Sequence, residues 1–296
     1  MFTDNDNYLV RATAFDGRVR ALAINSTDAV RELGALQRTV PAATAALGRV
    51  ATGTLLLGSM LKESSHLVTV QVRGEGPLGT VLASANGRGE VRGLVGNPHP
   101  DVPQVVDGKL NVSGVVGTRG RFTVIKETGT REPYNSTVEL VSGEIGRDFA
   151  YYFATSEQLP SAVGLGVFLD ATGTVEAAGG YLIQVLGGLP EEEVAQIERE
   201  VASLPHPTTM IRQGETPEDV LARVFGNSFK VLDRTPVRFH CPCSRDRAER
   251  ALILLGPDEI EEIRNRQAER GHADVTCEFC GRNYRFSLDQ LAALTN

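Results

Sequence analysis

Hydrophobic and polar positions follow two different periods along the first part of the chain. Residues 7–25 alternate on both sides of Asp16 and Gly17, a residue pair that tolerates positive φ, so the pattern predicts a β-hairpin. Apolar residues at helical spacing come next and predict a first helix through Val30, Leu33, Leu36 and Val40. The Ala- and Gly-rich segment after Pro41 predicts a second helix.

Strand-like patterns dominate the following stretch. From Leu67 to about Glu127, β-branched runs are separated by glycine turns, which is typical of strands. The segment SGEIGRDFAYYFATSEQLP predicts an amphipathic helix with Ser142 as its N-cap and Pro160 just past its end. Strand patterns return in GLGVFLDATGTVEAAGGYLIQVL. We therefore predict that residues 1–187 form one α+β core domain.

The composition changes after Gly187 and Gly188. A charged helix is predicted there, with one thin apolar stripe formed by Val194, Ile197, Val201 and Leu204. A second short helix begins with Thr216 as its cap and Pro217 at its first position. Neither helix has enough apolar surface to form a core, so both must pack against another part of the chain. We assign residues 188–235 to a helical linker.

All four cysteines lie in the last segment, residues 236–296. Helices are predicted there after Ser244 and from residue 256 onward, and Ser287 with Gln290 fits a capping box for a final helix. The cysteines form a C-x-C pair and a C-x-x-C pair with 33 residues between them: Cys241, Cys243, Cys277 and Cys280.

This cysteine spacing predicts a zinc site. Zinc binds four thiolates in a tetrahedron at about 2.3 Å each, which places the sulfurs about 3.8 Å apart and suits both spacings. A segment of about 60 residues also has a marginal core that a metal often completes. Four inert buried thiols would not be clustered in two tight pairs. His240 and His272 adjoin the two pairs, but four sulfurs already fill a zinc site, so we expect one zinc per chain held by cysteine alone.

Composition and charge exclude several classes of function. The net charge is −7, Trp is absent and aromatic residues make up 6% of the chain, so nucleic acid is not an expected partner. The acidic N-terminus does not resemble a signal peptide. Residues 40–61 are apolar but contain Arg49 and three glycines, which favours a buried core helix over a membrane span. We therefore expect a cytoplasmic protein without membrane contact, a setting where structural disulfides are rare.

Other motifs carry little chemistry. The segment GEGPLG, residues 74–79, matches the dinucleotide pattern G-x-G-x-x-G, but a strand pattern and not a helix follows it. A hairpin turn is the better interpretation. The sequence contains neither H-E-x-x-H nor the H-x-E of zinc deaminases, and no βαβ pattern follows Cys280. We therefore predict that the protein is not an enzyme.

The C-x-C pair indicates redox chemistry. Cα atoms two residues apart are at most about 7 Å apart, and disulfides span roughly 4.4–6.8 Å, so a Cys241–Cys243 bond is possible but cramped and should be labile. Cys243 also precedes a predicted helix N-terminus with Arg245 and Arg247, which favours the thiolate. Metal-bound thiolates that can form two local disulfides, Cys241–Cys243 and Cys277–Cys280, would act as a redox switch, because oxidation would expel the metal.

The sequence resembles the heat shock protein 33 family of redox-regulated bacterial chaperones. The resemblance rests on CPCSR and CEFCGRNYRF, and also on YFATSEQLP, AAGGYLIQV, GEGPLG and GVVGTRG, and it spans nearly the whole chain. It implies an ATP-independent holdase that is inactive with zinc bound and active once oxidised. It further implies binding of unfolded client proteins, dimerisation on activation, transfer of clients to ATP-driven foldases, and a metastable linker. Within that linker, the stripe of the first helix is the candidate client-binding surface.

Two other classes of function compete with this interpretation. A zinc-ribbon nucleic-acid-binding protein would need a basic surface, but residues 238–285 hold nine basic and nine acidic side chains. A thiol oxidoreductase would use the same cysteines for turnover. An assay with glutathione would separate that enzyme from a holdase.

Overall fold

The described part of the chain starts with the predicted hairpin. The computed structural model describes residues 7–130 and 132–294. Strands β1 (Tyr8–Ala14) and β2 (Val19–Asn25) pair antiparallel. Asp16 and Gly17 in the turn between them have φ angles of 54° and 86°, in the left-handed region that this residue pair tolerates. The local sequence pattern therefore located both the strands and the turn.

The chain forms two compact units, Met1–His240 and Cys241–Asn296. The further strands of the first unit are β3 (Leu67–Gly74), β4 (Thr80–Asn86), β5 (Glu90–Val95), β6 (Val105–Val106), β7 (Lys109–Leu110), β8 (Gly120–Glu127), β9 (Tyr134–Glu139), β10 (Ser161–Leu169), β11 (Val175–Val185), β12 (Phe229–Pro236) and β13 (Arg238–Phe239). Its helices are α1 (Thr27–Gln37), α2 (Pro41–Gly58), α3 (Val112–Val116), α4 (Gly146–Tyr152), α5 (Glu191–Ser203), α6 (Pro207–Arg212) and α7 (Pro217–Phe225).

Two sheets build the first unit, and α2 packs against both. The five-stranded sheet has the order β10-β11-β2-β1-β12, and the six-stranded sheet has the order β13-β5-β4-β3-β8-β9. Almost every residue of α2 is buried in the main hydrophobic core. A Cβ atom at Gly53 would lie 2.3 Å from the Phe149 ring, so glycine is needed for this close approach. Mixed helices and strands around one core confirm the predicted α+β class.

Helix α2 contains most of the apolar segment 40–61 and lies inside the protein core. This helix is the buried core helix that the sequence predicted for the segment after Pro41. Among the residues that the structure describes, no helix combines the length and the apolar character needed to cross a bilayer.

Helices α5, α6 and α7 cover the outer face of the five-stranded sheet, which is the face turned away from α2. The apolar side chains of that face are Tyr8, Val10, Ala12, Ala14, Val19, Ala21, Ala23, Tyr181 and Ile183. The helices contribute Ile197, Met210, Val220, Leu221, Val224 and Phe225 to the same core. The two charged helices predicted from the sequence therefore do pack on another part of the chain, as their thin apolar stripes required.

The segment 188–235 also contains a strand that its pattern did not reveal. β12 pairs antiparallel with β1 and forms one edge of the five-stranded sheet. Only Phe229, Val231 and Thr235 in this strand are partly buried, and its other side chains are exposed, as suits an edge strand. Because its partner lies more than 200 residues earlier in the chain, local periodicity carries little information about the pairing.

Two local predictions need correction. The strand region between Leu67 and Glu127 is interrupted by α3. Ser142 is not a helix cap: α4 begins at Gly146, and the Ser142 hydroxyl donates to the Asp148 carboxylate at 2.9 Å. Asp148 also accepts the Ile145 backbone N–H at 2.9 Å, so a buried carboxylate near the helix start takes the role predicted for the serine.

The GEGPLG segment joins β3 to β4 as a tight connection. A Cβ atom at Gly74 would lie 1.9 Å from the Val116 carbonyl oxygen, so close backbone packing explains the glycine. A strand, and not a helix N-terminus, follows the segment. The turn interpretation is confirmed, and the geometry is not that of a dinucleotide-binding loop.

The second unit has its own small core. Its elements are α8 (Arg245–Ile253), α9 (Pro257–Arg266), β14 (His272–Thr276), β15 (Asn283–Ser287) and α10 (Leu288–Ala293). Ser244 caps α8, and Ser287 and Gln290 form the predicted capping box of α10. The buried residues are few, namely Ala248, Leu252, Ile260, Ala273, Phe286 and Leu291.

Candidate metal centre

The C-x-C pair lies directly before a helix. Cys241 and Cys243 lie in irregular backbone, and the Ser244 hydroxyl then accepts the Arg247 backbone N–H at 3.2 Å to start α8. This cap ends the irregular segment immediately after Cys243. The second cysteine of the pair is therefore held at a helix N-terminus, where the helix dipole favours negative charge.

The C-x-x-C pair forms the turn of the β14–β15 hairpin. The Cys277 backbone N–H donates to the Arg282 carbonyl at 2.9 Å, and the Gly281 N–H donates to the Cys277 carbonyl at 2.8 Å. Gly281 has a φ of 69°, so a residue without a Cβ atom avoids strain in this turn. A glycine directly after Cys280 therefore suits the turn that contains both cysteines.

The two pairs bring four sulfur atoms together. The Sγ atoms of Cys241, Cys243, Cys277 and Cys280 all lie within 4.8 Å of one another. The Cys241–Cys277 Sγ distance is 3.6 Å, and the Cys243–Cys280 Sγ distance is 3.4 Å. A tetrahedron of thiolates around zinc at about 2.3 Å has edges of about 3.8 Å. The side chains present therefore fit a four-sulfur metal site in both number and spacing.

One thiol of the cluster has a strongly lowered pKa. Burial raises the pKa of Cys243, but hydrogen bonds from Tyr284 and the other thiols outweigh burial and lower the pKa to about 7. The Tyr284 hydroxyl donates to the Cys243 sulfur at 3.2 Å. Burial raises the pKa of Cys241. Burial and the hydrogen bonds to neighbouring thiols raise the pKa of Cys280 to about 12. Cys243 therefore has thiolate character near neutral pH.

Sequence reasoning missed Tyr284 as part of the site. The alternation of β15 turns Tyr284 toward the cysteines and Phe286 into the core of the second unit. The pattern Y-x-F just after the second cysteine pair was the available signal. His272 is engaged elsewhere, since its Nδ1 lies 2.8 Å from the Arg270 carbonyl oxygen and its Nε2 lies 3.5 Å from the Asp274 carboxylate.

The apolar stripe of α5 packs within the first unit, against the five-stranded sheet. Ile197 is buried, and Val201 and Leu204 are partly buried against the outer face of the five-stranded sheet. Val194 is also partly exposed. The sequence did not single out the deeper contacts of this layer, which α7 makes through Leu221 and its neighbours. Their signal was a closely spaced apolar pattern in PEDVLARVF.

Comparison with known proteins links this architecture to one family. The profile of the Hsp33 protein family matches residues 7–287. The chain is 44% identical over 289 residues to the 33 kDa chaperonin of Geobacillus sp. (strain WCH70), with 97% of both chains covered. It is also 44% identical over 288 residues to the 33 kDa chaperonin of Bacillus subtilis (strain 168), with 97% of this chain and 98% of that one covered.

A solved structure agrees with these sequence matches. The crystal structure of the 33 kDa chaperonin from Thermotoga maritima, a heat shock protein 33 homologue, superposes with a TM-score of 0.90 at 34% identity. The match covers 98% of each chain. The resemblance drawn from the cysteine motifs is thereby confirmed, and the chain belongs to the Hsp33 family.

Proposed function

We propose that this protein is an ATP-independent holdase whose client binding is controlled by oxidation of the sulfur cluster. Membership of a family whose relatives are named chaperonins supports the chaperone part of the proposal. The observation that carries the redox part is the meeting of four cysteine sulfurs within 4.8 Å in a unit with a small core.

In the reduced form, the four cysteines hold one zinc ion per chain. The sulfur spacing, the number of donors and their chemistry support zinc as the metal. When bound, zinc keeps the sulfurs as thiolates and contributes folding free energy of about 10–16 kcal/mol, as in other small zinc modules. The Tyr284 hydroxyl stabilises the negative charge on Cys243 by its hydrogen bond.

Oxidation then forms one disulfide within each cysteine pair. Forming each disulfide removes two electrons from two thiolates. One hydrogen peroxide molecule accepts these electrons and, with two protons from solvent, is converted to two water molecules. Closing Cys241–Cys243 and Cys277–Cys280 needs almost no search by the chain, whereas a cross-pair closes a loop over the intervening residues. Because a disulfide sulfur is no longer a thiolate, two disulfides remove all four ligands and the site loses its metal.

Loss of the sulfur cluster unfolds the second unit. Its buried residues are few, so its core is too small to replace the folding free energy that zinc supplies. We further propose that this unfolding weakens the packing of the linker helices on the five-stranded sheet. The chain supports such coupling, since β12 and β13 lead directly into the first cysteine pair.

Release of the linker helices exposes the surface that binds clients. The outer face of the five-stranded sheet carries the apolar side chains that α5, α6 and α7 cover. Helix α5 adds the stripe of Val194, Ile197, Val201 and Leu204. An apolar surface of this extent is what the exposed core residues of an unfolding protein bind. ATP has no role in this scheme, since binding follows from exposure alone.

The proposal includes a cellular setting and partners. The active form is a homodimer, it works in the cytoplasm under oxidative stress, and it passes its clients to ATP-driven foldases. Neither nucleic acid nor membrane takes part, which the net charge of −7 supports for nucleic acid.

One experiment tests the function directly. Zinc content and suppression of light scattering from an aggregating client are measured on the same sample before and after peroxide, without ATP. We expect one zinc and no suppression before oxidation, and no zinc and strong suppression afterwards. A reduced, zinc-loaded sample that suppresses aggregation equally well would contradict redox control, and an oxidised sample without suppression would contradict the holdase function.

A further inference from the structure

A polar row crosses the inner face of the five-stranded sheet beyond the end of α2. Gln184 on β11 is paired with Ser161 on β10 and with Arg20 on β2, and Arg20 is paired with Thr13 on β1. Closer to the middle of the sheet, this face carries Leu22 in the main core instead. Because α2 ends at Gly58, the polar part of the face is not covered by that helix. The core is thus replaced here by an open cleft.

Arg20 has an unusual environment in this cleft. Its Nη1 donates to the Gln184 side-chain oxygen at 3.1 Å and lies 3.3 Å from the Met60 sulfur. Within the described residues no carboxylate lies within 4 Å of this guanidinium, although Arg20 is partly buried. Burial and the nearby positive charge of Arg11 both lower the pKa of Arg20. A half-buried cation without an anionic contact is costly unless a ligand supplies the charge.

Gln184 holds that cation in a fixed place. Its side chain is fully buried, its oxygen accepts from Arg20, and its Nε2 donates to the Ser161 hydroxyl at 3.0 Å. A buried amide with both ends bonded is a rigid support. Only Nη1 of Arg20 hydrogen-bonds to the part of the chain that the structure describes, so its other nitrogens are available to a ligand.

The surrounding acidic groups offset the two arginines only in part. Asp233 lies 3.8 Å from the Arg11 guanidinium, on an exposed strand where such a pair is weak. Glu157, which also attracts Arg20, is hydrogen-bonded to Lys126 at 2.5 Å and to the Tyr152 hydroxyl at 2.7 Å. The two arginines therefore keep a surplus of positive charge in the cleft.

Apolar side chains form part of the cleft wall. The cleft has a volume of about 220 Å³ and is lined by Leu22, Met60, Leu186 and Leu232 beside the two arginines. Leu232 is 56% exposed and Leu186 is 40% exposed, so both offer apolar surface to a ligand in the cleft. Pockets for drug-sized ligands have roughly 300–1,000 Å³. The cleft is smaller, so its occupant is small as well.

We propose that this cleft binds a carboxylate carried on a short apolar group, with Arg11 and Arg20 on the carboxylate and Leu186 and Leu232 against the apolar part. Planar guanidinium groups match carboxylates through paired hydrogen bonds. Two sources offer this chemistry, a free short-chain acid and the C-terminal carboxylate of a protein chain that ends in an aliphatic residue. The proposal concerns the folded first unit and is independent of the redox switch.

The test is an NMR titration of the reduced, full-length protein, followed at the backbone amides of Thr13 and Gln184. Hexanoate and N-acetylleucine represent the two sources, and hexanol and N-acetylleucinamide are their uncharged counterparts. We expect saturable binding of at least one carboxylate. Its uncharged counterpart should bind about tenfold more weakly or worse, because it cannot form the charged hydrogen bonds to the two arginines. The tighter of the two carboxylates identifies the source.

Three variants make the test specific. Arg20→Gln should weaken hexanoate binding about tenfold or more, and Arg73→Gln, which alters an exposed arginine of the other sheet, should leave it unchanged. Leu232→Ser alters an exposed position, so it should fold normally, and it should weaken hexanoate but not acetate. Absence of saturable binding, equal binding of hexanol, equal binding of inorganic phosphate, or unchanged binding in both Arg20→Gln and Leu232→Ser would each overturn the proposal.

Discussion

Weakening the helix layer alone should activate the protein without oxidation. Leu221 on α7 is fully buried between the helices and the outer face of the five-stranded sheet. It lies in the first unit, so the substitution Leu221→Ala leaves the four cysteines and their unit unaltered. If client binding requires release of α5–α7, this variant should bind clients in its reduced, zinc-loaded form.

The size of the effect follows from the buried side chain. Truncation of a fully buried leucine to alanine costs about 2–5 kcal/mol. If release of the helices uncovers this position, about 3 kcal/mol of that cost favours the released state and raises the ratio of released to packed protein roughly hundredfold. A released state that is about 1% populated in the parent protein would then be about half populated, because a factor of 100 corresponds to about 2.8 kcal/mol.

The assay compares two leucine variants under reducing conditions. Light scattering of an aggregating client measures holdase activity, and hydrogen exchange across residues 190–226 measures release of the helices. Leu55→Ala is the matched control, because Leu55 is equally buried but lies in α2 within the main core. Both variants should be destabilised to a similar extent. Only Leu221→Ala should show fast exchange in residues 190–226 together with suppression of scattering.

A polar variant tests the same release without creating a cavity. Glu218 on α7 accepts the Tyr8 hydroxyl of β1 at 2.8 Å and the Arg234 Nε of β12 at 2.5 Å, and so fastens the helix to the sheet. Glu218→Gln should raise the released population by a smaller factor than Leu221→Ala, since the ion pair with Arg234 is partly exposed. The two variants should rank in that order in both assays.

Two results would refute this reasoning. If Leu221→Ala exchanges rapidly in residues 190–226 but does not suppress aggregation, then neither the sheet face nor the α5 stripe binds clients. If Leu55→Ala suppresses aggregation as well as Leu221→Ala does, then general destabilisation and not helix release produces the activity. Neither result would contradict the proposed redox chemistry of the cysteines.

Three further predictions concern the sulfur cluster and the first unit. Elemental analysis of Cys277→Ser should show loss of bound zinc, and full retention would remove this residue from the site. Peptide mapping after peroxide should give disulfides within the pairs, and dominant cross-pairs would contradict the proposed Cys241–Cys243 and Cys277–Cys280. Burial raises the pKa of Glu157, but hydrogen bonds from Lys126 and Tyr152 outweigh burial and lower the pKa below its usual 4.5. Its stabilising effect is then present above pH 4.5 and lost as the pH falls through the lower folded pKa, so the difference in unfolding free energy between the parent and Glu157→Gln should shrink on acidification.

Local patterns predicted the elements that local physics determines. The hairpin turn at Asp16 and Gly17, the buried α2, the helix cap at Thr216 and the capping box at Ser287 all rest on short-range rules, and the structure has each of them. The cysteine cluster was equally predictable, because the two pair spacings already suit tetrahedral sulfur geometry.

Tertiary packing decided the features that the patterns missed. The sequence of β12 has no strand-like hydrophobic pattern, because an edge strand buries few side chains. Its pairing with β1 depends on residues far away in the chain. Ser142 fits the rule for a helix cap, but Asp148 offers a buried carboxylate to the Ile145 backbone N–H, and a charged acceptor makes stronger hydrogen bonds. Sequence rules could rank neither contact, since both depend on burial.

The contacts around Arg245 explain why oxidation should affect the fold of the second unit and not only its metal. Arg245 begins α8 two residues after Cys243, its guanidinium lies 4.3 Å from the centre of the Phe286 ring, and its Nη1 donates to the Arg285 carbonyl at 2.7 Å. Phe286 is in the core, and its neighbour Tyr284 is bonded to the Cys243 sulfur. A disulfide between Cys241 and Cys243 draws their two sulfurs together directly before Arg245, and Cys243 is the one that accepts a hydrogen bond from Tyr284 of β15. The same movement therefore strains both the start of α8 and the strand that supplies the largest core side chain.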